Sequence, residues 1–370
     1  MTIVAENTHK KRITIKLGKI IKRGGEGSIY KIKIDPDLGS ELIAKHQKLN
    51  KSEDIYNLDT ISNSIFASLL VSSKITECNI PIMCFYGIIL NSVHDTLSIE
   101  KAVKAVKAVK AVKAVKAITT FEEKMTTIPK FQNCVFFTSD ILENECYLLY
   151  EFIDGISIQD VIDSKKTIDI IKYCEELIKI IIFIHDKKIT HLDIKPDNIM
   201  ITTDNKLKIV DLGLTCNTID KACERHGGTP EYFAPEILQI TRNRKIAVKN
   251  LFTSDIFAMG LTLYEIITKK KGGFKNLKEA REFSDSAGEL DLEFTEDTQI
   301  WKPFIQSLVL RNPASRPTAA AALEQFIILK TEILGPASAS ASAEAGADGG
   351  RLKKRKTIRK IRRSFKKVLV

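Results

Sequence analysis

The chain has no apolar run long enough to span a bilayer. Its longest, Ile180 to Ile184, is five residues, and no apolar stretch follows Met1-Thr2-Ile3-Val4, so neither a membrane span nor a signal peptide is expected. It also lacks any C-x-x-C spacing. Seven cysteines (78, 84, 134, 146, 174, 216, 223) are an odd number, which speaks against a disulfide or zinc framework. Reduced thiols in a cytoplasmic or nuclear setting are expected instead. Acid is missing from residues 351–370, which hold eleven Lys and Arg and so account for the whole net charge of +11. The other residues sum to zero, and the basicity belongs to an appendage. With 44% apolar and 28% charged residues, a chain of 370 has the make-up of a soluble globular protein: one two-lobed unit, or two ordinary domains with appendages.

Residues 1–12 are polar and expected to be loose. Strand-like alternation covers Ile13–Ile21, Ser28–Ile34, Leu42–Lys45 and Ile80–Leu90, with one or two helices over Ser52–Ile75. An insertion at about 92–130 carries Lys-Ala-Val five times from Lys101, closed by Lys116-Ala117. A period of three fits neither helix nor strand, so it reads as low complexity, with weak attraction for polyanions as the alternative. Strands resume at Cys134–Thr138 and Cys146–Phe152. Helical patterns follow at Ile168–His185, Asp255–Thr268, Leu277–Phe283, Ile300–Leu310 and Ala319–Leu334. Residues 335–350 form an Ala/Ser/Gly linker. In the tail 351–370, Ile358, Ile361, Phe365 and Val368 recur at helical spacing among basic residues. An anionic partner is expected there, whether nucleic acid, acidic protein or anionic lipid, with a solvated tail as the plain alternative.

The densest chemistry lies in His191-Leu192-Asp193-Ile194-Lys195-Pro196-Asp197-Asn198, followed by a hairpin ending in Asp211-Leu212-Gly213. A carboxylate that takes a hydroxyl proton, a cation for a phosphate and metal-binding oxygens are what phosphoryl transfer to an alcohol needs. Gly24-x-x-Gly27 between two strands lets backbone N–H groups approach phosphate, although most such pairs are ordinary hairpin turns. Lys45, in an apolar strand, needs an anion, which a phosphate or a structural salt bridge would supply equally well. For Asp193 and Asn198 alone, loop capping is the competing reading.

In combination and order these segments resemble the eukaryotic-type protein serine/threonine kinase family, over about Ile13 to Leu334. Gly24, Gly27 and Ile29 resemble the glycine-rich loop, with Lys22 at the place of the family's first glycine. Ala44 and Lys45 are matched to its Ala-x-Lys strand. Cys146 to Ile153 resembles the hinge, with Tyr150 as gatekeeper. Gly228 to Glu236 resembles the peptide-binding segment and Ala-Pro-Glu motif, Asp255 the brace of the catalytic loop, and Arg316 the partner of Glu236.

The resemblance implies an α+β, bilobal fold: a β-rich N-lobe over 13–150 and a helical C-lobe over 151–334. It implies ATP and Mg²⁺ as cofactors and a protein Ser/Thr hydroxyl as acceptor. Asp193 would be the base and Lys195 the γ-phosphate cation, Asn198 and Asp211 would hold Mg²⁺, and Lys45 the α- and β-phosphates. Lys22, Gly24, Gly27, Ile29, Ala44, Glu151, Ile153 and Met200 would line the nucleotide. Composition and tail also resemble kinases of large nucleocytoplasmic DNA viruses.

Two departures stand out. No acid sits near Ser68, where the resemblance expects a glutamate to pair with Lys45; Glu53, Asp54, Asp59 and Glu77 are the acids nearby. Leu192 replaces an arginine that grips a loop phosphate in the family, and Arg225 stands at the usual phosphosite, so activation without loop phosphorylation is expected. A pseudokinase scaffold that keeps nucleotide binding is the alternative, and a small-molecule phosphotransferase a third. Ser157, where many relatives that favour basic substrates carry an acid, signals no preference for arginine in the substrate.

Overall fold

The computed structural model describes residues 1–6, 12–24, 27–35, 41–48, 81–90, 135–138, 142, 145–218, 222–223, 228–238, 246–286 and 288–335. The expectations for the helices at 52–75, the acids near Lys45, the insertion at 92–130, Arg225, and the linker and tail beyond Gly335 lie outside them.

The N-terminal part is a curled sheet. Strands β1 (Thr2–Glu6), β2 (Arg12–Gly24), β3 (Gly27–Asp35), β4 (Leu42–Lys48), β5 (Phe85–Leu90), β6 (Val135–Thr138) and β7 (Glu145–Glu151) close in the order β1-β2-β3-β4-β7-β5-β6. The expectation of a loose N-terminus is corrected here. Ile3 and Ala5 alternate with exposed Thr2 and Val4 and lie opposite Ile15 and Ile13, all four buried. A two-residue apolar period is enough to draw a short polar-looking segment into a sheet.

The β2–β3 hairpin closes on the pair Gly24↔Gly27. Gly27 has φ 136°, and a Cβ there would sit 1.9 Å from the His46 carbonyl oxygen, on the next strand. Gly27→Ala should therefore cost more than about 1 kcal/mol of stability and weaken nucleotide binding, read by thermal melting and an ATP titration. Unchanged values for both would remove the constraint assigned to this turn.

The C-terminal part is helical. Short strands β8 (Gly155–Ser157), β9 (Ile189–Thr190), β10 (Ile199–Thr202), β11 (Leu207–Ile209), β12 (Cys216–Asn217), β13 (Ala222–Cys223) and β14 (Ile246–Ala247) carry the connections. The α-helices are α1 (Ile158–Asp163), α2 (Ile170–Asp186), α3 (Pro235–Leu238), α4 (Val248–Thr268), α5 (Leu277–Asp285), α6 (Lys302–Leu308) and α7 (Ala319–Leu334). Helix α2 starts where the Asp169 side chain accepts from the Lys172 amide at 3.0 Å, and it buries Cys174, Leu177, Ile178, Ile181 and Ile184 at helical spacing. The helix expected over Ile300–Leu310 divides into a 3₁₀ turn, Glu296–Trp301, and α6, because Pro303 suits the first turn of a new helix.

Helix α4 is the core. Among the described residues it alone is long and apolar enough to cross a membrane, yet 83% of that window is buried inside the protein. An all-round apolar helix of this kind is satisfied by its neighbours, here α2, α6 and the loop bearing His191. Cys146, Cys174 and Cys216 are buried thiols outside any disulfide. Cys84 is disulfide-bonded, which corrects the expectation of reduced thiols throughout. Odd count and missing C-x-x-C spacing argue against a framework, but they do not exclude a single bridge.

Candidate active site

Four side chains converge where the His191–Asn198 loop meets the Gly228–Glu236 segment. Asp193 Oδ1 accepts from the Thr229 amide (3.0 Å) and hydroxyl (2.7 Å). Its Oδ2 accepts from Asn198 Nδ2 at 2.7 Å and lies 2.9 Å from Lys195 Nζ, which also donates to the Thr229 hydroxyl. Asn198 spends its amide hydrogens on Asp193, reaching the Asp193 backbone carbonyl at 2.9 Å as well. Its Oδ1 therefore meets no protein donor among the described residues. The loop is held from below by Asp255, at the buried centre of α4. This carboxylate accepts from the amides of His191 and Leu192 (2.8 Å each) and lies 3.0 Å from His185 Nε2. That grip holds Leu192 at φ 62°, a conformation costly for a branched side chain. His191 Nδ1 accepts from the Asp193 amide, so its proton sits on Nε2, which is buried without an acceptor.

Across the cleft, Lys45 Nζ donates to both oxygens of Asp211 (3.0 and 3.1 Å). Burial would raise the Asp211 carboxyl, but the Lys45 ammonium, the Gly213 amide and His191 outweigh it and hold the pKa below the usual range. The cation expected on phosphates and the carboxylate expected on metal thus meet at one point. Ile29 pairs with Lys45 in register and shares its face. Ile199 and Ile201 are buried, so alternation turns Met200 the other way. At the hinge, Glu151 N donates to the Cys84 carbonyl (3.0 Å) while its carboxylate accepts from the Cys84 amide (2.8 Å) and from Lys208 Nζ (2.7 Å). The Ile153 amide has no acceptor among the described residues.

One expected nucleotide contact is corrected. Ala44 faces the interior of the curled sheet, buried with Leu42, Tyr147 and Leu149, because successive strand residues point to opposite faces. Counting back two from Lys45 reaches Ile43, which holds the place beside it, and that alternation was available in the sequence. Lys22 lies opposite Ile29 in register, and its ammonium reaches Asp197 Oδ1 at 3.7 Å. Lys208 was missed altogether. Its partner Glu151 lies 57 residues away, and no local pattern links them.

The acceptor side is braced from beneath. Tyr232 donates to both Glu265 oxygens (3.1 Å each), and Glu265 also accepts from the Gly272 amide at 2.9 Å. Burial raises the Glu265 pKa above its usual 4.5 despite these donors. The folded state then binds more protons than the unfolded one just above pH 4.5, so this group's contribution to stability falls as pH rises through that window. Glu265→Gln should flatten the fall in Tm with rising pH there, and an unaltered slope would assign it to other groups.

A family model for the protein kinase domain matches residues 85–327, well over half of the chain. It starts beyond the glycine turn and Lys45, so the geometry above is what ties those residues to the site. The chain is 28% identical over 211 residues to a candidate serine/threonine-protein kinase of Acanthamoeba polyphaga mimivirus, covering 53% of this chain and 72% of that one. It is 26% identical over 215 residues to the mitogen-activated protein kinase kinase kinase YODA of Arabidopsis thaliana, and 23% over 190 residues to the serine/threonine-protein kinase PAK 5 of Rattus norvegicus. It spans only 22% and 25% of those two proteins, while they cover 54% and 50% of this chain.

Proposed function

Because the chain belongs to the protein kinase family, and to its serine/threonine kinases, we propose that it transfers the γ-phosphoryl group of Mg·ATP to protein hydroxyls without needing a phosphorylated activation loop. The observation that carries this reading is the placement of Asp193 between Thr229, Asn198 and Lys195. A carboxylate anchored on three sides at the mouth of the peptide-binding segment is positioned to orient a hydroxyl and take its proton.

The residues fit the nucleotide and its metal. The Ile153 amide, without a protein acceptor among the described residues, and the Glu151 carbonyl suit the adenine edge, with Ile29 and Ile43 above and Met200 below. Gly24 and Gly27 let backbone approach the phosphates, which Lys45 and Lys195 hold. Asn198 Oδ1 and the Asp211 carboxylate are two oxygens of the kind Mg²⁺ takes alongside phosphates and water. When bound, the metal nucleotide supplies the phosphoryl group and offsets its charge.

Independence from loop phosphorylation has support in packing. Leu192 joins an apolar cluster with Cys216 and Leu251, where an arginine would be needed to grip a phosphate. Thr215 and Thr218 are buried, and their hydroxyls donate to the carbonyls of Leu212 and Lys188 (2.8 and 2.9 Å). A viral source, with action in the host cytoplasm or nucleus, belongs to the same proposal.

The test is transfer of labelled γ-phosphate to a generic basic protein and to Ser, Thr and Tyr peptides. Transfer to Ser and Thr, lost with EDTA, restored by Mg²⁺ and unchanged by phosphatase pretreatment, is expected. Absence of transfer by folded protein would favour the scaffold reading. Activity lost to phosphatase and restored through one loop threonine would end the claim of independence.

A further inference from the structure

Lys22 and Asp197 form an ion pair across the cleft, 3.7 Å from Nζ to Oδ1, between strand β2 and the loop that carries Asp193. Asp197 stands next to Asn198 and two residues from Lys195. It also lies on the loop that meets the peptide-binding segment, where Lys195, two residues earlier, donates to the Thr229 hydroxyl. Asp197 is thus an acceptor-side carboxylate. The other carboxylate beneath this surface, Glu265, is committed to Tyr232 and the Gly272 amide. Both of these carboxylates already have a partner from this chain.

We propose that Lys22 is a specificity-determining residue that covers Asp197 and steers the enzyme away from acceptors with arginine or lysine beside the target hydroxyl, toward neutral or acidic ones. The pair is exposed, 60% for Lys22 and 43% for Asp197, so it is screened by solvent and an incoming cation competes for it at modest cost. A substrate ammonium or guanidinium gains little there, because it must displace one of like charge. An acidic side chain instead meets the Lys22 ammonium. This inference rests on the reading of the site as a protein kinase.

The experiment compares kcat/KM for two Ser peptides that differ only in arginine or glutamate near the target. Lys22→Ala should raise the arginine-to-glutamate ratio about two- to five-fold over wild type, the range expected for an exposed pair. Lys22→Ala with Asp197→Asn should return the ratio toward the wild-type value, a reversal that a purely structural role for Lys22 would not produce. A ratio unchanged in Lys22→Ala, or raised equally in the double variant, overturns the proposal. Peptide binding by fluorescence anisotropy reads the same ratio. If wild type transfers no phosphate, the kinase reading fails while binding still decides this one.

Discussion

Asp193→Asn should lower kcat at least about 10²-fold with KM for ATP little changed. Asparagine keeps the size of the side chain, and its one carboxamide oxygen can still accept from Thr229 or from Asn198, while Asn198 keeps its bond to the residue 193 carbonyl, so the loop should largely hold its shape. What it removes is a carboxylate able to take a proton and the charge that pairs with Lys195 at 2.9 Å. The loss belongs to the chemical step, where proton transfer and charge positioning are felt, and not to nucleotide binding on the far side of the cleft. Steady-state kinetics beside a melting curve separates the two. A variant that melts like wild type and turns over within a few-fold of it would remove Asp193 from its role as base.

Arg316→Ala should destabilise the helical part by about 3–5 kcal/mol, a fall in Tm on the order of 10 °C. The Arg316 side chain is fully buried and grips Glu236 through two bonds of 2.7 and 2.9 Å. It also donates to the carbonyls of Thr253, Leu310 and Arg311, and stacks over Phe257. Removing it strands the Glu236 carboxylate, 9% exposed, with only the Ser254 hydroxyl as a remaining side-chain donor among the described residues. Most of the cost is that uncompensated charge, so Arg316→Met combined with Glu236→Leu should recover a large part of it. Glu236 lies in the first turn of α3, at the end of the peptide-binding segment, so the single variant should also weaken peptide more than ATP. A change in Tm under about 2 °C would mean the pair contributes little.

The site was legible where its chemistry is local in sequence. Asp193, Lys195 and Asn198 lie within six residues, and the structure brings all three together with Thr229. Asp211 follows closely because a single hairpin returns the chain to the same place. Lys45 was identified by its cost: an ammonium in an apolar strand needs an anion, and Asp211 provides one. Errors arose where the reading needed a face or a partner. Ala44 was matched by its neighbourhood to Lys45 without applying the alternation that puts the two on opposite sides. Residues 2–6 looked loose because the segment is short, and its burial comes from pairing with β2, whose register no single strand reveals. The fold as a whole was easier, since helical spacing in α2 and the mostly apolar second half of α4 announce a packed helical body.

Ile43 lies opposite Tyr150 in the strand register, so two bulky side chains stand together on the nucleotide face of β4 and β7. For synthetic inhibitors this is a shape filter. Flat adenine mimics that stop short of Tyr150 should be accepted, whereas compounds that extend past it, or need a small residue overhead, should be turned away. Trimming Tyr150 to glycine would open that corner and create an enzyme addressable by bulky analogues that leave cellular kinases untouched.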